Sequence, residues 1–161
     1  MDYATAHALF EYRDGALFRR AAPPRSKVLA GARVGTVNGC GYEIFAYKKK
    51  YYRAHRVIFL MHHGYAPEYV DHVDGNRLNN RVENLRAADP VTNQYNTKKH
   101  VDNISNHKNV WVDPRTGHFV VKVAVNRKNT YVGTYKTLPD AVTAAKQARI
   151  AAHGAFANHG D

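Results

Sequence analysis

"DHVDGNRLNNRVENLR", residues 71–86, gathers four asparagines, two aspartates, three arginines and a histidine around one Asp74-Gly75 turn. Short polar side chains hydrogen-bond their own backbone and serve turns, so each residue taken alone reads as part of a polar loop. Together they also hold a carboxylate for a hard cation and an imidazole that can take a proton near neutral pH. A calcium loop is excluded: counted from Asp71, the third position is Val73 and the twelfth is Val82, where Glu is required.

The flanks give the stretch a setting. "EYVDHV" predicts a strand, "ENLRAA" a second short strand, and Asp89-Pro90 a helix start, since Asp accepts free N–H groups and Pro suits the first turn. The helix is expected to run through "PVTNQYNTKKH", placing Asn93, Asn96 and His100 at i, i+3 and i+7 on one face. With that face inward, Asp71, His72 and Asn93 converge. Strand alternation opposes this, because it sends Asp71 and His72 to opposite faces. Either the pleat breaks near the turn or a phosphate lies between the two side chains.

Upstream, Asp2 caps a short helix expected to reach Tyr12. "RDGALFRR" reads as a turn and strand, "AAPPRSK" as a loop, and "GYEIFAYKKKYYRAHR" as a hairpin with its lysines at the tip. "RAHRVIFLMHHGYAP" has the spacing of a buried helix stopped by Gly64 and Pro67. Downstream, "VDNISNHK" reads as a linker. "NVWVDPRTGHFVVKVAVNRKNTYVGTY" follows as three strands broken at Asp113–Gly117 and Asn126–Asn129. "TLPDAVTAAKQARIAAHG" is an amphipathic helix, with Thr137 and Asp140 as a capping pair and Gly154 as its end.

The composition points to a polyanion partner. Lys+Arg number 24 against 13 Asp+Glu, a formal charge of +11, and eleven Tyr and six Phe add flat surfaces. Cys40 is the only cysteine, which excludes an intrachain disulfide and a cysteine-based zinc knuckle. With no signal-peptide pattern at its start and no apolar run longer than "VIFLM", the chain is expected in the cytoplasm of a cell and not in a membrane.

"DHVDGNRLNNRVENLRAADPVTNQYN" resembles the HNH endonucleases of the ββα-metal superfamily, in the branch found among phage and intron-encoded homing enzymes. The likeness runs without gaps from the Asp-His pair through Asp-Gly-Asn, Asn-Asn-Arg and Glu-Asn-Leu-Arg to the spaced Asn pair. It extends upstream through "AHR". The resemblance implies that His72 is the general base, that Asn84 braces the loop and the histidine, and that Asp71 and Asn93 hold one divalent metal. Asn in place of a final His favours Mg2+, with Mn2+ as a substitute, over Zn2+. No structural zinc is expected.

The tail, from Ser105 to about Ala157, resembles the ethylene-response-factor (Apetala-type) DNA-binding domain in "NVWVDPRTGHFVVKV", "YVGTYKTLPDAVTAAKQA" and "HGAFA". Phe119 stands where Trp is usual and Asn109 where Gly is common. In that family a three-stranded sheet enters the major groove. The resemblance makes Lys122, Arg127, Lys128 and Tyr131 candidates for DNA contact, beside Arg56, Arg77, Arg81, Lys98 and Lys99 in the first part.

The expected fold class is therefore α+β: a ββα-metal nuclease module with an N-terminal hairpin region, then a small three-stranded antiparallel sheet with one helix. The expected divisions are 1–100 for the nuclease (core about 55–100), 101–107 for a linker and 108–161 for the DNA-binding domain. The expected activity is metal-dependent hydrolysis of double-stranded DNA by a monomer that nicks and leaves 5′-phosphate and 3′-hydroxyl ends. The alternative is a non-catalytic DNA-binding regulator or packaging factor on the same scaffold. A ribonuclease is a third, weaker alternative.

Overall fold

The computed structural model describes residues 1–24, 27–96, 99 and 101–160. Its fold is α+β, as expected, and it divides into two compact units, Met1–Ala88 and Asp89–Asp161.

In the first unit Asp2 caps α1 (Tyr3–Leu9), its carboxylate accepting from the Thr5 N–H at 2.8 Å. The helix stops short of Tyr12 because Phe10 opens β1 (Phe10–Arg13), paired with β2 (Ala16–Arg19) across the Asp14-Gly15 turn. Both turn residues have positive φ, 44° and 85°, the twist that joins adjacent antiparallel strands in a two-residue hairpin. Burial of Phe10 to 1% exposure outweighs the helix preference of the alanines before it.

β2 also pairs with β3 (Arg33–Val34). β4 (Thr36–Val37) pairs with β5 (Glu43–Tyr47), and β5 with β6 (Lys50–Arg53), turning at Lys48-Lys49 as the hairpin pattern predicts. α2 (Ala54–His63) ends at Gly64, whose φ of 77° lets its N–H return to the Leu60 carbonyl at 2.9 Å. Ala54, His55, Val57, Ile58, Phe59, Leu60 and Met61 are all buried, so α2 is wrapped nearly all round. Phe10, Leu17, Val34, Phe45 and Leu85 complete that core. β7 (Tyr69–His72) and β8 (Leu85–Ala88) form an antiparallel pair joined by residues 73–84.

The second unit opens with α3 (Pro90–Tyr95), capped by Asp89, whose carboxylate accepts from the Val91 and Thr92 N–H groups at 2.8 Å each. The helix was expected to reach His100. It ends at Tyr95, because the Asn96 carbonyl and side-chain oxygen accept the Asn158 amide at 3.1 and 2.9 Å, out of the helical ladder. Lys98 and His100 lie outside the described residues.

β9 (Val110–Val112), β10 (Phe119–Val125) and β11 (Lys128–Tyr135) form a sheet in the order β11-β10-β9. α4 (Leu138–His153) packs Ala141 and Ala145 against Val110 and Val121. Thr137 caps it and donates its hydroxyl to Asp140 at 2.6 Å, the pairing expected from the sequence. The stretch 101–107, expected as a linker, is a set of turns tied down by Ser105, whose hydroxyl donates to the Val110 carbonyl at 2.6 Å. The units divide at Ala88/Asp89, upstream of that stretch, so α3 groups with the C-terminal residues.

Tyr95 shows why. Its ring stacks on His153 with centroids 3.8 Å apart, its hydroxyl accepts the Asn126 N–H at 3.1 Å, and its carbonyl accepts Lys108 Nζ at 3.0 Å. Among the described residues the buried apolar cluster of the second unit has only four members, so this anchor matters. Tyr95→Ala is expected to lower the stability of the second unit by about 3 kcal/mol. The check is amide hydrogen exchange, which should accelerate in β10 and α4 and stay unchanged in α2.

Candidate active site

The ladder of β7 and β8 sets the geometry of the Asp-His pair. Asp71 lies opposite Arg86, and His72 opposite Leu85. Alternation therefore persists to the end of β7, and the two side chains stand on opposite faces. Val70 and Leu85 face the α2 core, and His72 shares their side. Asp71 and Arg86 share the other. Arg86 Nε and Nη2 both donate to Asp71 Oδ2, at 2.9 and 2.7 Å. Both residues of the pair are buried, Asp71 to 8% exposure and His72 to 4%.

The loop between the strands is built on Asp74 and Asn84. Asn84 Oδ1 accepts the Asp74 N–H at 3.0 Å, while its Nδ2 donates to Asp74 Oδ1 at 2.9 Å and to the Asn79 carbonyl at 2.8 Å. Asp74 also accepts from the Asn76 N–H at 2.8 Å and from Asn79 Nδ2 at 2.7 Å. Desolvation raises the Asp74 pKa, but the donors Asn79, Asn76 and Asn84 outweigh it and hold the carboxyl below its ordinary range. Gly75, at φ 68°, returns its N–H to the His72 carbonyl at 2.9 Å. Asn84 thus ties Asp74 to the Asn79 carbonyl across the loop.

His72 Nε2 meets Asn80 Oδ1 at 3.0 Å. Asn80 is 2% exposed, and its Nδ2 donates to Glu43 Oε2 at 3.2 Å. The second asparagine of "LNNR" carries a signal for Asn80 inside the motif. Nothing local marks Glu43, which lies 37 residues away in sequence.

Aromatic rings wall the imidazole. His55 meets His72 edge to face at 4.8 Å between centroids, and Tyr42 lies 5.3 Å from His55 and 6.3 Å from His72. The guanidiniums of Arg53 and Arg77 stand over Tyr42 at 4.6 and 5.0 Å. Burial pushes the His55 pKa down to about 3, with help from His72 and from the charges of Arg53 and Arg56. His55 is therefore neutral at neutral pH, and its buried Nδ1 has no hydrogen-bond partner among the described residues.

The remaining candidates separate by what they hold. Arg56 donates to the Glu68 and Pro67 carbonyls at 2.9 and 2.8 Å, clamping the approach to β7. Arg77 donates to the Cys40 carbonyl at 2.8 Å, and Arg81 is exposed. Lys99 donates to Asn106 Oδ1 at 2.5 Å. Asn93 sits on α3 in the second unit, whereas Asp71 is in the first. Lys122 and Tyr131 lie directly opposite each other on β10 and β11, with Arg127 in the hairpin turn and Lys128 opening β11. All four are exposed. Val121 and Val123 point to the buried side of the sheet, so Lys122 and Tyr131 share the open face with Trp111, itself paired through Val120.

Among the described residues no group of three or more His, Cys, Asp or Glu side chains could hold a metal ion. Carboxylate and amide oxygens, the donor types of Asp71 and Asn93, are hard ligands that suit Mg2+ better than Zn2+.

Comparison with known proteins agrees with the motif. Residues 52–98 match the family model described as HNH endonuclease. Within 65 aligned residues the chain is 38% identical to Protein 3.8 of Escherichia phage T7, a match that covers 37% of this chain and 54% of that protein. The chain thus spans about half the length of this curated relative. No solved structure matches it significantly. No helix among the described residues is long and apolar enough to cross a membrane.

His55 makes the first unit sensitive to acid. Its folded pKa of about 3 lies below the ordinary 6.5, so stability is unaffected above 6.5. It falls as pH drops from there towards 3, where the unfolded chain takes up a proton that the fold refuses. The loss at pH 4.5, two units below 6.5, is expected to be about 3 kcal/mol. Urea denaturation at neutral and acid pH should show a smaller difference for His55→Phe than for the parent.

Proposed function

We propose that the chain is a metal-dependent HNH DNA endonuclease of homing type, acting as a monomer in the cytoplasm of a host cell. The observation that carries this reading is the match of residues 52–98 to HNH endonucleases at a segment where His72 is buried and hydrogen-bonded at the end of a strand. In this reading His72 takes a proton from the water that attacks phosphorus. His55, neutral beside it, leaves room for the positive charge that His72 gains. By resemblance, Asp71 and Asn93 are the residues that would hold Mg2+ or Mn2+. Such an ion would supply charge stabilisation to the phosphate and the leaving 3′ oxygen. The second unit is an ethylene-response-factor-like module, and its open sheet face presents Lys122 and Tyr131 to duplex DNA.

One observation favours the non-catalytic alternative. Arg86 donates twice to Asp71 Oδ2, and a cation on that carboxylate must share it with the guanidinium.

Supercoiled plasmid incubated with the protein and Mg2+, or with EDTA, separates the two. Open circles should accumulate with Mg2+ before any linear product, and EDTA should stop them. Linear DNA appearing first, from protein that sediments as a dimer, would rule out a nicking monomer. His72→Ala should cut about 100- to 10,000-fold more slowly while DNA affinity stays near the parent's. A rate within a few-fold of the parent would remove His72 from the role of base.

Lys122→Ala should weaken binding to all duplex sequences alike and reduce the salt dependence of log K by about one phosphate contact. Unchanged affinity and slope would take the sheet face out of DNA binding.

A further inference from the structure

Glu43 is an unusual residue to find 5% exposed on a strand of the core sheet. Its carboxylate is bridged at Oε1 by Arg33 Nη2, at 2.9 Å, and at Oε2 by Asn80 Nδ2, at 3.2 Å. The fold makes room for it. Gly35, at φ 116°, lies so close that a Cβ there would stand 2.6 Å from Glu43 Cγ. No loop closure explains a charged side chain placed here, since the loop of residues 73–84 is already tied by Asn84 to Asp74. What Glu43 touches next is Asn80, and what Asn80 touches is His72.

Donor and acceptor rules then run in one direction. A carboxylate paired with a guanidinium has no proton to donate. Asn80 must therefore turn its NH2 to Glu43, which leaves its carbonyl oxygen facing His72. A carbonyl oxygen only accepts, so the ring nitrogen against it, Nε2, must carry the proton. In a neutral imidazole the other nitrogen, Nδ1, then holds the lone pair. We propose that Glu43 and Asn80 are positioning residues that fix His72 in the Nε2–H tautomer and so present Nδ1 as its proton acceptor. Use of Nδ1 as the base in DNA cleavage rests on the nuclease reading above; the tautomer does not.

The test reads the ring directly. In full-length protein labelled with 15N, long-range proton–nitrogen correlation at mildly alkaline pH should show His72 Nε2 as the protonated nitrogen and Nδ1 as the unprotonated one. The reverse pattern in the parent overturns the proposal without any variant.

Asn80→Leu keeps the side-chain volume and removes the acceptor. Both tautomers should appear, and kcat for plasmid nicking should fall on the order of 100-fold with the DNA KM within about twofold. An unchanged tautomer and kcat in that variant would overturn the proposal. The double variant Glu43→Gln with Asn80→Asp guards against a merely misfolded protein. It reverses the bond between the two positions, with the new amide at position 43 donating and the new carboxylate at position 80 accepting, yet leaves an acceptor against Nε2. Recovery of the Nε2–H signal and of kcat to within about tenfold of the parent is expected. A folded double variant with the mixed signal of Asn80→Leu would overturn the relay. If the parent shows Nε2–H but cuts no DNA with any divalent cation, the tautomer assignment stands and the nuclease reading fails.

Discussion

Asn84 and Asp74 hold each other in both directions, backbone N–H to amide oxygen at 3.0 Å and amide to carboxylate at 2.9 Å. Residues 73–84 are otherwise a polar excursion, whose backbone groups need partners once they leave the ladder. The reciprocal bond supplies them and brings the Asn79-Asn80 pair back against the strand that ends at His72. Asn80 there reaches both His72 and Glu43. The β7–β8 ladder places the histidine, and this loop, tied by Asn84, brings Asn80 against its ring.

Beneath that loop the first unit buries a helix on nearly all sides, and this explains how His55 can be both buried and neutral. Two arginines and a second histidine stand near it, and a charged imidazole in that setting would be costly. Positive charge in this unit sits instead at the surface, where Arg77 and Arg81 are exposed. Under the proposed nuclease reading, a basic exterior would attract a phosphate backbone, and a neutral His55 would leave the proton to the neighbouring histidine.

The second unit is poorer in core and correspondingly richer in polar anchors. Arg149, 2% exposed, donates to the Lys108 carbonyl at 2.6 Å, and His153 Nε2 meets the Ala124 carbonyl at 2.6 Å. With few large apolar side chains between α4 and the sheet, such bonds supply much of the specificity of the packing. They also leave the opposite face of the sheet uncovered by α4, with Trp111, Lys122 and Tyr131 on it.

Local chemistry was legible in the residues themselves. Asp14-Gly15, Asp74-Gly75 and Gly64 announce their turns because few other residues adopt positive φ without strain. Asp89-Pro90 and Thr137 announce helix starts because they satisfy or avoid free N–H groups. The segment that matches HNH endonucleases was legible for the same reason, as a dense run of residues whose spacing is set along one loop. Tertiary structure alone decided that α1 yields to a strand at Phe10, since core burial outweighs alanine preference only once the core exists. It also decided that α3 stops at Tyr95, where Asn158, 62 residues from Asn96, takes the bonds. The partner of His72 follows the same rule. Asn80 stands within the motif, but the carboxylate that orients it comes from a strand 37 residues earlier, and sequence distance carries no information about which buried groups must share a proton.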